Sequence, residues 1–144
     1  MKCITYTSGY KYQLEDAYSI AINIKPDVLI ETDYIRLDTE GNLTISNGYA
    51  WDGPSGPTID TLSFMRGALV HDALYQLMRY SKLDRDIYRD DADRILKDIC
   101  KNDGMWSWRA WLVHQGVRIF GDPSSDPKKK KKIIRAPKDA NHKT

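Results

Sequence analysis

His71, Asp72 and Tyr75 fall in one run, Val70-His71-Asp72-Ala73-Leu74-Tyr75, and Asp93 follows 22 residues after the histidine. His71 and Tyr75 are spaced i and i+4, so a helix through this run projects both from one face. Asp72 is rotated by about 100° from His71 and addresses a neighbouring target. An imidazole with one nitrogen held by a carboxylate keeps the other to take a proton from water, which is the arrangement of a general base. The tyrosine hydroxyl can hold the same carboxylate. Asp72, which the imidazole does not need, can then bind a cation. Calcium takes roughly 6–8 oxygen ligands, many of them backbone carbonyls. The bent segment 48–57, with Gly48, Gly53, Gly56, Pro54 and Pro57, is backbone of the kind that supplies them, since those residues exclude helix or central strand.

Two helices must position these groups. Phe64, Ala68, Ala73, Leu74, Leu77 and Met78 follow a 3.6-residue period and predict a helix over 62–80, with Thr61 or Ser63 as its cap. A connector at 81–85 leads to a second helix over 86–101, whose apolar face is Ala92, Ile95, Leu96 and Ile99 and which ends at Asn102-Asp103-Gly104. His71 lies about 13 Å before Tyr80, and Asp93 about 10 Å after Asp86, at 1.5 Å per residue. An antiparallel hairpin therefore brings Asp93 level with His71 and Tyr75, places Asp90 one turn nearer the connector, and turns Asp91 away. A third helix is predicted over 105–120, with Trp108, Trp111, Leu112, Gln115 and Ile119 on one face, stopped by Gly121 and Pro123.

Upstream the period is two. Tyr18, Ile20, Ile22 and Ile24 share one face of a strand that Pro26 ends. Val28-Leu29-Ile30 reads as another short strand, and residues 34–46 read as a hairpin turning at 38–42. The predicted fold class is α+β: a small N-terminal antiparallel β-sheet, then three helices, the first two an antiparallel helical hairpin, then a flexible basic C-terminal tail. Residues 1–121 form the single domain, divided into a β-rich part (1–47), a Gly/Pro loop (48–61) and a helical part (62–121). Residues 122–144 form a disordered Lys-rich tail.

The 144 residues, 41% hydrophobic, suffice for one core. Mean hydropathy is negative, no transmembrane run exists, and Met1–Tyr6 lacks the apolar core of a secretory signal. Export would need another route, such as host lysis or packaging in a particle. Cys3 and Cys100 make no disulfide framework, suit a reducing compartment, and read as small buried hydrophobes. The net charge of +2 is uneven. Residues 122–144 carry eight Lys/Arg and three Asp, leaving 14 basic and 17 acidic groups in the body. A mildly acidic body argues against specific nucleic-acid recognition. The run Lys128–Lys132 is either a solvated tail or a contact for anionic surfaces.

The pattern His71-Asp72-x-x-Tyr75 with Asp93 downstream resembles phospholipase A2, most closely the disulfide-free domain of parvoviral capsids. There an HD-x-A-Y run is followed by A-D-x-x-F, to which Ala92-Asp93-Arg94-Ile95-Leu96 is similar. The resemblance implies calcium-dependent hydrolysis of phospholipid esters at a membrane surface. His71, Asp93 and Tyr75 are the implied catalytic set: the histidine activates water, the second aspartate orients it, and the tyrosine holds that aspartate. Asp72 and the loop residues Trp51, Gly53, Ser55 and Gly56 are the implied metal ligands. The flanking cysteine pairs of the secreted enzymes are absent, and Pro54 and Pro57 stand in the loop. Asp52 adds a side-chain ligand or caps a turn. The stretches YAWDGPSGPTID, FMRGALVHDALYQL, ADRIL and VRIFG, between Gly48 and Gly121, also resemble a family of unknown function from tailed phages and prophages.

Blander readings stand beside these. His71 is alternatively a core histidine satisfied by Asp93, and Asp72 a surface group paired with Arg79 or Lys82. Trp51 reads as a plug under the loop. Trp106, Trp108 and Trp111 read as core before lipid-binding surface, and His114 as structural. The alternative function is a non-catalytic virion structural or morphogenesis protein that keeps the helical hairpin and meets other phage virion proteins.

Overall fold

The alternating apolar residues of the first third close a sheet, and the helical run beyond residue 61 packs on it. The structure, a computed structural model, describes residues 4–6, 12–51, 62–106, 109–111, 113–114 and 134–136. Its elements in chain order are β1 (Ile4–Tyr6), β2 (Tyr12–Gln13), β3 (Tyr18–Ala21), β4 (Ile30–Glu31), β5 (Ile35–Leu37), β6 (Asn42–Ile45), β7 (Ala50–Trp51), α1 (Leu62–Arg79), α2 (Arg85–Asn102) and β8 (Ile134–Ala136). The residues described at 109–111 and 113–114 belong to a third helix. The class is α+β, as the patterning predicts.

Strands β3, β6, β5 and β4 form one antiparallel sheet in that order. The β5–β6 turn is built by Asp38, whose Oδ1 accepts from the backbone N–H of Glu40 and Asn42 while Oδ2 accepts from the Asn42 amide. These bonds hold the Asp38 carboxyl below the usual carboxylate range, the Asn42 side chain contributing most. Gly41 completes the turn at φ +89, and any Cβ there would meet the Ile22 carbonyl oxygen at 2.3 Å. The strand expected at Val28-Leu29-Ile30 is displaced. Val28 and Leu29 are exposed, and β4 is Ile30–Glu31. Pro26, lacking an N–H, and the bend at 27–28 delay pairing to that point.

Two further antiparallel pairs lie outside this sheet, β2 with β7 and β1 with β8. Within the segment expected as a tail, Ile134–Ala136 are thus a strand on Ile4–Tyr6, while Lys128–Lys132 lie outside the described residues.

Helix α1 is buried on most of its circumference, as a helix between two partners must be. One side meets the sheet: Leu69, Val70, Ala73 and Leu77 join Ile24, Leu37, Leu43 and Ile45 in the main core. The other side meets α2. Gly67 lets the helices close, since a Cβ there would lie 2.9 Å from Cys100 Sγ and 2.9 Å from Leu96 Cδ1. The connector ends α1 with a left-handed residue. Ser81 has φ 57, its N–H donates to Met78 O, and the Lys82 N–H donates to Leu77 O. Asp84 then caps α2 by accepting from the Asp86 N–H, and Gly104 at φ +97 closes its far end. Thr61 and the Ser63 side chain, expected as caps of α1, lie outside the described residues.

The third helix departs from the expected face. Ala110 and Val113 are buried with Met105 against Phe64, Ala68, Leu96 and Cys100, whereas Trp111 and Trp106 are exposed. Trp108 lies outside the described residues.

Candidate functional site

Helix spacing and hairpin register together assemble the site. Gly67 faces Leu96, so His71, one turn further along α1, faces a residue about one turn back along α2. That residue is Asp93. His71 Nε2 lies 2.8 Å from Asp93 Oδ1, and Tyr75 Oη donates to the same oxygen at 2.6 Å. The rings of His71 and Tyr75 lie 3.9 Å apart by their centroids, as i and i+4 on one face require.

The group is buried. His71 is 6% exposed and Asp93 0% exposed. Burial is the largest cause raising the Tyr75 phenol above its ordinary value; the Asp93 carboxylate adds to it, and Arg89 opposes. Nε2, facing a carboxylate oxygen, is the nitrogen placed to donate, and in a neutral ring that leaves Nδ1 to accept.

The other site residues are placed as follows. Asp72 is half-buried on α1, and Gln76 follows it by one turn on the same face. Gln76 Oε1 accepts from Tyr49 Oη at 3.0 Å, which ties the chain just before β7 to that face. Trp51 ends β7, is 8% exposed, and lies against Tyr12 and Tyr49. It is a core residue; the loop expected over it lies, after Trp51, outside the described residues. Gly53, Ser55, Gly56 and Asp52 lie outside the described residues. Asp91 pairs with Arg94 at the surface, away from the dyad. His114 is half-buried on the third helix. Among the described residues no group of three or more His, Cys, Asp or Glu side chains could hold a metal ion.

Arg89 is a residue that sequence reasoning passed over. Its Nε reaches Tyr75 Oη at 3.5 Å. The signal was present, because Arg89 stands four residues before Asp93 and so shares its face of α2.

No helix of the described chain is long and apolar enough to cross a membrane. No curated protein and no solved structure matches the chain. Residues 27–117, which span β4 to the third helix and include every member of the His71–Tyr75–Asp93 group, match one family model, and the chain belongs to that family, described as a protein of unknown function (DUF1353).

Proposed function

We propose that the chain is a phage-encoded, phospholipase A2-like esterase in which His71 activates water against a lipid acyl ester. The observation that carries this reading is the pair of bonds onto Asp93 Oδ1, which fixes the His71 tautomer and leaves Nδ1 as the base. His71 Nδ1 takes a proton from water, and the water oxygen attacks the ester carbonyl carbon. The tetrahedral oxyanion collapses, the carbon–oxygen bond to the glycerol side breaks, and the imidazolium returns its proton to the departing alkoxide. A free fatty acid and a lysophospholipid result.

The resemblance would have Asp72 and loop carbonyls from Trp51 onward hold calcium; in support, Tyr49, two residues before Trp51, bonds Gln76, one turn after Asp72 on α1. When bound there, calcium would supply positive charge for the ester oxygen. Exposed Trp106 and Trp111 suit a lipid surface, since an indole combines an apolar body with a polar N–H.

The test is fatty-acid release from mixed phospholipid vesicles, with calcium and with chelator. His71→Gln should cut the rate by at least ~10²-fold, the lower end for general-base catalysis. A wild type inactive on every phospholipid tested sinks the esterase. One observation favours a second reading. The near-complete burial of His71 and Asp93 suits a polar clamp inside a virion structural or assembly protein, and His71→Gln would then lower the melting temperature without touching any turnover.

A further inference from the structure

Asp93 is wholly buried, yet among the described residues both donors that reach it land on Oδ1, and Oδ2 has no hydrogen-bond partner. A carboxylate removed from water is costly unless charge or hydrogen bonds compensate. The cation joined to this chain of contacts is Arg89, half-buried one turn before Asp93 on α2. Its Nε lies 3.5 Å from Tyr75 Oη, long for a hydrogen bond, so the contact acts mainly through charge. Tyr75 passes the polarisation on: its bond to Asp93 is 2.6 Å, within the short range of a hydroxyl on a carboxylate.

We infer that Arg89 is a positioning residue for the dyad, its guanidinium strengthening the Tyr75–Asp93 bond and so fixing the carboxylate that orients His71. The inference rests on the general-base reading of His71 for its consequence in rate, and on geometry alone for its consequence in the hydrogen bond. The contact that joins Arg89 to the dyad runs through Tyr75 Oη. Its charge polarises a hydroxyl that donates to the carboxylate, an effect the low dielectric of the interior strengthens.

The test uses the full chain with Arg89→Met, Arg89→Gln and Arg89→Lys. The first readout is the proton resonance of His71 Nε2–H, assigned by its loss in His71→Gln. In wild type it should lie downfield of an ordinary imidazole proton, because its acceptor is charged and buried. Arg89→Met and Arg89→Gln should move it further downfield, because a weaker Tyr75 bond leaves the shared Oδ1 a stronger acceptor for Nε2–H, and Arg89→Lys should stay close to wild type. The second readout is fatty-acid release. Arg89→Met should lower kcat about tenfold with KM unchanged, the scale of removing an outer hydrogen-bond partner of a site, with partial rescue in Arg89→Lys. If the wild type releases no fatty acid, the esterase reading fails, and the proton signal still decides the role of Arg89. A signal unmoved in both charge-removing variants, or one at the ordinary imidazole position in wild type, overturns the inference. Should Arg89→Met fail to fold, Arg89→Gln, which keeps bulk and donors, carries the comparison.

Discussion

Gly67 on α1 faces Cys100 on α2, with only 2.9 Å between the cysteine sulfur and the place a Gly67 Cβ would occupy. This approach sets the spacing at which His71 and Asp93 face each other. Gly67→Ala tests it. Alanine gains about 1 kcal/mol of helix propensity over glycine. Against that, the added Cβ would lie 2.9 Å from the buried Leu96 Cδ1 and Cys100 Sγ and 3.3 Å from the Leu96 carbonyl oxygen, and overpacking costs typically 1–3 kcal/mol. Urea unfolding should therefore show net destabilisation, partly relieved by adding Cys100→Ala. A more stable Gly67→Ala would show that the contact is loose.

Asp93 accepts from two buried donors, so its loss should cost more than the loss of either donor. Tyr75→Phe removes one hydrogen bond, worth about 1 kcal/mol. Asp93→Ala strands His71 Nε2 and Tyr75 Oη together, and breaking a buried pair from one side costs about 3–5 kcal/mol. Chemical denaturation of both variants gives the order directly, and equal stabilities would contradict the shared acceptor.

Calcium should raise the melting temperature of the wild type, because a ligand that binds only the native state stabilises it by mass action. Asp72→Asn should abolish the rise. Identical melting curves in calcium and in chelator would remove the cation from the proposed site.

Ser81 occupies a left-handed conformation at φ 57 between α1 and α2. A side chain there costs roughly 1–2 kcal/mol that glycine avoids, of which glycine's greater unfolded freedom returns part. Ser81→Gly should stabilise the protein by about 0.5–1 kcal/mol, read as a higher urea midpoint at unchanged slope. The same substitution at Lys82 should not.

Cys100 is buried, and burial is the main cause pushing its thiol from 9.0 up to about 12. The folded value exceeds the unfolded one, so the stabilising contribution is complete below pH 9.0 and is lost as pH rises toward about 12. Cys100→Ala should flatten the fall in stability across that window. Iodoacetamide should label Cys100 slowly at neutral pH until urea unfolds the chain, because the thiolate is the nucleophile. Rapid native labelling would place the thiol at the surface.

The sequence by itself determined the helical hairpin and the meeting of His71, Tyr75 and Asp93. A helix has a fixed rise and period, so spacing in the chain converts into distance and direction once a short connector folds it back. The Asp38–Asn42 turn was legible for a similar reason, since its bonds join residues at most four apart. Tertiary structure decided what depends on the opposing surface. It moved the strand expected at Val28 to Ile30–Glu31, and it turned Trp106 and Trp111 outward while Met105, Ala110 and Val113 pack on Phe64, Ala68, Leu96 and Cys100. It also joined Arg89 to Tyr75, β2 to β7, and β1 to β8. Such contacts join segments whose local patterns say nothing of each other. They form only when burial of the shared core has brought their backbones together.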